Sequence, residues 1–135
     1  MKMTPELRER MVHTALEARK LAYAPYSNYP VGAALLTASG RIVTGVNVEN
    51  AAHPTGMCAE RVAVFKAVSE GERKFEAIAV VTGNGGSPCG ACRQVLSEFG
   101  LDLLVLIADG EGKIVWETTL DQLLPGAFGP AHLGK

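Results

Sequence analysis

At 135 residues and 14.3 kDa the chain is expected to form one domain, residues 1–135. Lys and Arg total 13 against 14 Asp and Glu, a net charge of −1, which excludes the basic surface that non-specific binding to nucleic-acid phosphate requires. With 47% apolar and 20% charged residues the chain can fill a core, and no run reaches the roughly 18 apolar residues of a membrane span.

Residues 4–22 read as a helix. Thr4 is placed to cap it, Pro5 suits the first turn, and Leu7, Met11, Ala15, Ala18 and Ala22 form one apolar stripe. Two prolines between Tyr23 and Pro30 make a loop. Val31–Thr37 and Arg41–Asn47, joined by Ala38-Ser39-Gly40, read as a β-hairpin. After the loop Asn50–Gly56, Cys58–Ser69 reads as a helix with Val62, Phe65, Ala67 and Val68 on its apolar side, and Gly71 placed to end it. Ala77–Thr82 is a short strand, Gly83–Pro88 a glycine-rich loop, and Gly90–Phe99 a helix stopped at Gly100. Leu103–Ala108 has the aliphatic run of a strand covered on both faces. Lys113–Thr118 is the last strand, Leu120–Leu124 a short helix, and no regular structure is expected after Pro125. This order predicts an α/β fold of three layers, helices covering both faces of a mixed five-stranded sheet.

The thiols carry the chemistry. Cys58 opens one predicted helix, and Cys89 and Cys92 open the next; a helix N-terminus favours thiolate over thiol. The 31-residue step from Cys58 to Cys89 is about the length of a helix–strand unit returning to the same sheet edge. Three thiolates meeting there suit zinc, with one tetrahedral position open. Glu60 stands two residues after Cys58, where a carboxylate reaches a metal-activated water. A ligand-x-Glu pattern followed by Pro-Cys-x-x-Cys is the general signature of zinc nucleobase deaminases, in which zinc generates hydroxide and the carboxylate moves protons. An odd cysteine count and the absence of an apolar signal segment in residues 1–20 imply reduced thiols in the cytoplasm.

Several segments resemble the small homotetrameric cytidine deaminases: Cys58-Ala59-Glu60-Arg61, Ser87-Pro88-Cys89-Gly90-Ala91-Cys92-Arg93-Gln94, Asn47-Val48-Glu49-Asn50-Ala51 and Leu124-Pro125-Gly126-Ala127-Phe128. Tyr23-Ala24-Pro25-Tyr26-Ser27 and Val31-Gly32-Ala33-Ala34-Leu35 match as well, so the likeness runs from about residue 7 to Phe128. The resemblance implies hydrolysis of cytidine, and of deoxycytidine, to the uracil nucleoside and ammonia, in pyrimidine salvage. It implies zinc held by Cys58, Cys89 and Cys92, and Glu60 as proton shuttle. It further implies Asn47 and Glu49 on the ribose, Ala59 offering its N–H to the pyrimidine, and Tyr29, where the family has Phe, lining the pocket. Phe128 is expected to reach a neighbouring subunit's site in a homotetramer, and Arg61 to lie against the thiolate sulfurs, with Arg93 in reserve for that role. His53 departs from the aromatic residue of the family, and the tail past Phe128 matches nothing.

Other readings stand beside this one. A closed structural zinc site needs a fourth ligand, for which His53 is the candidate; His13 falls on a solvated face and His132 in the tail. A thiol–disulfide enzyme leaves Cys58 unexplained. A deaminase of a cytosine-containing antibiotic of the blasticidin type would use the same metal chemistry. No nucleic-acid or membrane partner is expected.

Overall fold

Lys2–Lys135 are described by a computed structural model. Helix α1 spans Pro5–Arg19, and the Thr4 hydroxyl accepts the Leu7 N–H at 3.1 Å, the cap that the sequence predicts. It stops at Arg19 rather than 22. The N–H groups of Lys20, Leu21 and Ala22 turn back to carbonyls three residues earlier, tightening the last turn until the chain leaves the helix. Met11, Val12 and Ala15 are its buried residues, a narrower face than the predicted stripe.

Strands β1 (Gly32–Thr37) and β2 (Ile42–Val46) form the expected hairpin. β1 also pairs antiparallel with β3 (Phe75–Val81), β3 parallel with β4 (Leu104–Ala108), and β4 antiparallel with β5 (Ile114–Thr119). The sheet order is β2-β1-β3-β4-β5. Two antiparallel steps make β2 and β3 run in one direction with β1 between them. Each feeds a helix, α2 (Ala59–Ser69) after β2 and α3 (Gly90–Ser97) after β3, so both helices start at the same edge of the sheet. That edge is where the site forms.

One face of the sheet, through Ala34, Leu36, Ala77 and Leu106, packs on α1. The other, through Leu35, Ile78, Val105 and Ile107, packs on α2, with the short helix α4 (Leu120–Leu123) closing the same cluster. Two glycines set the closest approaches. A Cβ at Gly45 would lie 2.2 Å from the Ala59 carbonyl oxygen of α2, and one at Gly32 would lie 2.1 Å from the Ala15 carbonyl oxygen of α1. At the edge away from the site, Arg41 pairs with Glu70 at 2.9 Å and with Glu72 at 3.6 Å, while Ser39 donates to Glu72, stitching the hairpin turn to the end of α2.

The differences from the sequence reading are local. α2 buries Ala59, Ala63, Val64 and Ala67; Phe65, expected in the core, lies about 200° round the helix from the Ala63–Ala67 stripe and is half exposed. α3 ends at Ser97 rather than Phe99, and β3 begins two residues before the expected Ala77. The tail after Pro125 contains a 3₁₀ turn at Pro130–Leu133, where His132 Nδ1 accepts the Gly129 N–H at 3.1 Å.

Candidate metal and substrate site

Cys58 and Cys89 are the residues immediately before α2 and α3, and Cys92 lies in the first turn of α3. Their sulfurs lie within 4.8 Å of one another, with Cys89 and Cys92 3.4 Å apart. Thiolates about 2.3 Å from a common tetrahedral centre would stand about 3.8 Å from each other. The spacing fits one zinc ion.

The donor chemistry fits too. Hydrogen bonds from Cys92 and from Arg61 draw the Cys58 thiol down to about 5 despite its burial. The same contact to Cys58, together with burial, pushes Cys92 up. Three sulfurs thus share a deficit of positive charge, which a divalent cation supplies by taking all three as thiolates. Among the described residues, this is the one three-residue cluster of ligand atoms close enough for a metal, and His53 is outside it. His53 instead meets the Tyr26 ring edge-on at 5.9 Å, so the closed site with a histidine ligand does not form.

Glu60 follows Cys58 into α2 and is 5% exposed. Burial, and then the charge on Cys58, raise its carboxyl to about 7, so it holds or releases a proton near neutral pH. Arg61, one residue on, donates from Nη2 to Cys58 Sγ at 3.4 Å, while its buried Nε has no partner. Arg93 does not share that task. Its guanidinium is spent on the Pro88 carbonyl at 2.8 Å, the Leu123 carbonyl at 2.8 Å and the Ser87 hydroxyl at 2.9 Å, which fixes the segment leading into Cys89.

A cavity of about 450 Å³ runs from Cys58, Glu60 and Cys89 to Asn47 and Glu49, with Tyr29 and Ala59 on its walls. Beyond β2, Val48 pairs with Met57 through both backbone bonds, at 2.9 Å each, which brings Glu49 alongside Cys58. Glu49 Oε1 accepts the N–H groups of Tyr26 and Ser27, and Oε2 accepts the Ser27 hydroxyl. The hydroxyl bond above all holds this carboxyl below its ordinary range. Asn47 is oriented by backbone: Oδ1 accepts the Val31 N–H at 2.8 Å and Nδ2 donates to the Tyr29 carbonyl at 3.0 Å. Phe128 is not with the others. It is 56% exposed and stacked on His132, with its carbonyl held by Gln94 of α3.

A triad of thiols, a buried carboxyl and an adjoining cavity are the parts of a hydrolytic deaminase, and comparison with known proteins agrees. The cytidine and deoxycytidylate deaminase zinc-binding region matches residues 5–108. The chain belongs to this family. A cytidine deaminase of Sporosarcina psychrophila is 50% identical over 128 residues, covering 93% of each chain. The crystal structure of cytidine deaminase from Burkholderia pseudomallei is 45% identical, covers 93% of this chain and 100% of its own, and superposes with a TM-score of 0.85. A blasticidin-S deaminase of Bacillus cereus is 34% identical, covering 85% of this chain and 87% of its own. The mixed five-stranded sheet is therefore the deaminase fold, and the chain is a zinc-dependent hydrolase of that family.

Three parts of the site escape a reading of the residues alone. Ser27 and the backbone at Tyr26 hold Glu49, and the Tyr26-Ser27 pair in the quoted motif is the available signal. Arg93, expected only in reserve for the contact with sulfur, instead clamps the loop before Cys89, and Thr82 lies on the cavity wall with no periodicity or spacing to mark it.

Proposed function

We propose that the whole chain, residues 1–135, acts as one catalytic domain that converts cytidine and deoxycytidine, with water, to the uracil nucleoside and ammonia. The observation that carries this is one cavity with Cys58 and Cys89 of the thiol triad and buried Glu60 at one end and the anchored Glu49 and Asn47 at the other. Cys58, Cys89 and Cys92 hold the metal. Zinc bound there acidifies a water and so supplies the nucleophile for carbon 4 of the pyrimidine.

Glu60 takes the proton of that water and delivers it to ring nitrogen 3. It then takes the remaining proton from the hydroxyl added at carbon 4 and carries it to the amine, so that the carbonyl forms as the carbon–nitrogen bond breaks and ammonia leaves neutral. A carboxyl raised to about 7 suits both directions of transfer. Burial of Glu60 keeps bulk water from exchanging those protons. Ala59, at the start of α2, presents its N–H to the pyrimidine, and Tyr29 flanks the base. Glu49, held ionised by Ser27, accepts hydrogen bonds from the ribose hydroxyls, and Asn47 completes that end. Arg61 draws electron density from Cys58, which restores acidity that three anionic ligands take from the metal.

The cavity selects a nucleoside over a nucleotide. Its own lining includes two carboxylates, Glu49 and Glu60, and no Lys, Arg or His, which disfavours a 5′-phosphate inside it; Arg61 and His53 line the adjoining cavity that shares Asn47, Glu49 and Cys58. Exposed Phe128, together with Leu133 at 67% exposure, supports a homotetramer in which Phe128 completes a neighbour's cavity. Three free thiols support a reducing, cytoplasmic setting; among the described residues no helix is long and apolar enough to cross a membrane. Ammonia release and absorbance loss on cytidine, deoxycytidine, cytidine monophosphate and blasticidin S test the reading. Turnover of both nucleosides with little on the nucleotide is expected. Turnover of the antibiotic alone, or of nothing with zinc bound, overturns it.

A further inference from the structure

The Tyr29 side chain does more than line the cavity. Its hydroxyl donates to Asn84 Oδ1 at 2.7 Å, across 55 residues of sequence. The same Asn84 oxygen lies 3.5 Å from the Thr82 hydroxyl, which in turn accepts the Gly86 N–H at 2.8 Å. A Cβ at Gly86 would lie 2.6 Å from the Tyr29 hydroxyl oxygen, so glycine at 86 makes room for the phenol. Thr82 is 3% exposed, and its hydroxyl finds these partners inside the wall.

The two segments joined in this way both line the cavity, one through Ser27, Tyr29 and Val31 and the other through Thr82 and Gly86. Residues 26–31 are also held by bonds outside the latch. The Tyr29 carbonyl is held by Asn47, the Pro30 carbonyl by Arg19 Nε at 3.0 Å, and Asn28 adopts a left-handed φ of 55° that turns the chain toward Tyr29. Residues 82–86 lead through Ser87 and Pro88 to Cys89. Neither Thr82 nor Asn84 bonds a thiol; they act only through Tyr29 and the loop backbone.

We propose that Tyr29 and Asn84 form a latch that positions the nucleoside-facing wall by tying segment 26–31 to the loop before Cys89, with Thr82 as its inner support. Asn84 is a positioning residue: it acts on substrate through Tyr29. The latch governs KM, because it orders the wall before substrate arrives, whereas the thiols and Glu60 sit on separate attachments at the start of α2 and α3. The kinetic part rests on the deaminase reading above; the existence of the latch does not.

The test compares zinc-loaded wild type with Asn84→Ala, Asn84→Asp, Tyr29→Phe and the Asn84→Ala/Tyr29→Phe double variant. A neutral hydrogen bond has a net worth of about 0.5–1.5 kcal/mol, equivalent to roughly a twofold to tenfold change in an equilibrium. Asn84→Ala is therefore expected to raise KM for cytidine by about that factor while kcat changes less than about twofold. Asn84→Asp, which keeps an acceptor oxygen for both hydroxyls, restores most of KM. The double variant is no worse than the poorer single one, because each removes the same bond. Hydrogen exchange at the Gly86 amide accelerates in Asn84→Ala and in Tyr29→Phe, whatever the substrate proves to be. A wild type inert on cytidine with this exchange pattern intact defeats the functional reading and keeps the latch. Unchanged Gly86 exchange in Asn84→Ala, or full multiplication of the two single effects on KM, overturns the latch.

Discussion

Gly45 is the residue at which one methyl group should separate folding from chemistry. In a Gly45→Ala variant the new Cβ meets the Ala59 carbonyl oxygen at 2.2 Å and the Ala63 nitrogen at 2.6 Å, both backbone atoms of α2. Ordinary contact begins at 3.4 Å, so the start of the helix must move out by about 1.2 Å. Ala59 stands between Cys58 and Glu60, and the shift is delivered to a metal ligand and to the proton carrier together. Overpacking of this kind costs about 1–3 kcal/mol of stability, and a misplacement of about 1 Å at a reacting group costs on the order of 10²-fold in rate. Gly32→Ala is the control. Its Cβ meets the Ala15 carbonyl oxygen at 2.1 Å and the Arg19 nitrogen at 2.7 Å, an equal insult to α1, which carries neither a thiol nor Glu60; through Arg19 and the Pro30 carbonyl it reaches segment 26–31, so kcat and not KM is the quantity compared. Urea midpoints, zinc stoichiometry and kcat on cytidine should show both variants destabilised and only Gly45→Ala losing about two orders of magnitude in turnover. Gly45→Ala with a wild-type midpoint and wild-type kcat would refute the close approach of β2 and α2 as a positional constraint.

Other expectations follow from single contacts. Glu60→Gln keeps the zinc and the fold but loses about 10²–10⁴-fold in kcat, since the amide carries no proton; metal analysis beside kinetics checks it, and a loss of only a few-fold places the shuttle elsewhere. Arg61→Ala retains zinc but shifts the pH optimum of kcat/KM upward, because the withdrawing hydrogen bond to Cys58 is gone; an unmoved profile with normal turnover refutes the role. Arg8 holds the Glu117 carboxyl below its ordinary range through hydrogen bonds at 2.8 and 2.9 Å. A depressed carboxyl contributes stability above the unfolded pKa and loses it as pH falls through the folded one, so Glu117→Gln is less stable than wild type near pH 6 and the gap closes on acidification below the ordinary glutamate range. Urea midpoints across that range decide, and a gap independent of pH contradicts the pair.

The metal centre was legible because its spacing is chemical. Cysteines at the starts of two successive helices, with a glutamate two residues after the first, leave few alternatives, and the structure gathers those three sulfurs. The alternation of helices and aliphatic strands likewise yielded the mixed sheet. What stayed hidden depends on tertiary geometry. The periodicity of α2 did not reveal that alanines, not Phe65, face the sheet, because the Gly45 seam admits only small side chains there. Arg61 and Arg93 look alike along the chain, and only their partners separate a donor to sulfur from a clamp on three oxygens. Asn47 was expected on the ribose, and its amide is first committed to the backbone of Tyr29 and Val31.

The stitch of Arg41 with Glu70 and Glu72 has a consequence for how the enzyme responds to its medium. Those exposed pairs lie at the end of the sheet remote from the thiols; of the other ion pairs among the described residues, Arg8–Glu117 joins α1 to the outer strand and Lys20–Glu17 lies on α1. All are open to solvent and fade as sodium chloride shortens the Debye length toward about 8 Å and below. The substrate is uncharged, and the Arg61–Cys58 contact is half-buried and screened far less. Ionic strength therefore addresses melting and turnover through different parts of the molecule: the far edge softens while the catalytic edge keeps its geometry.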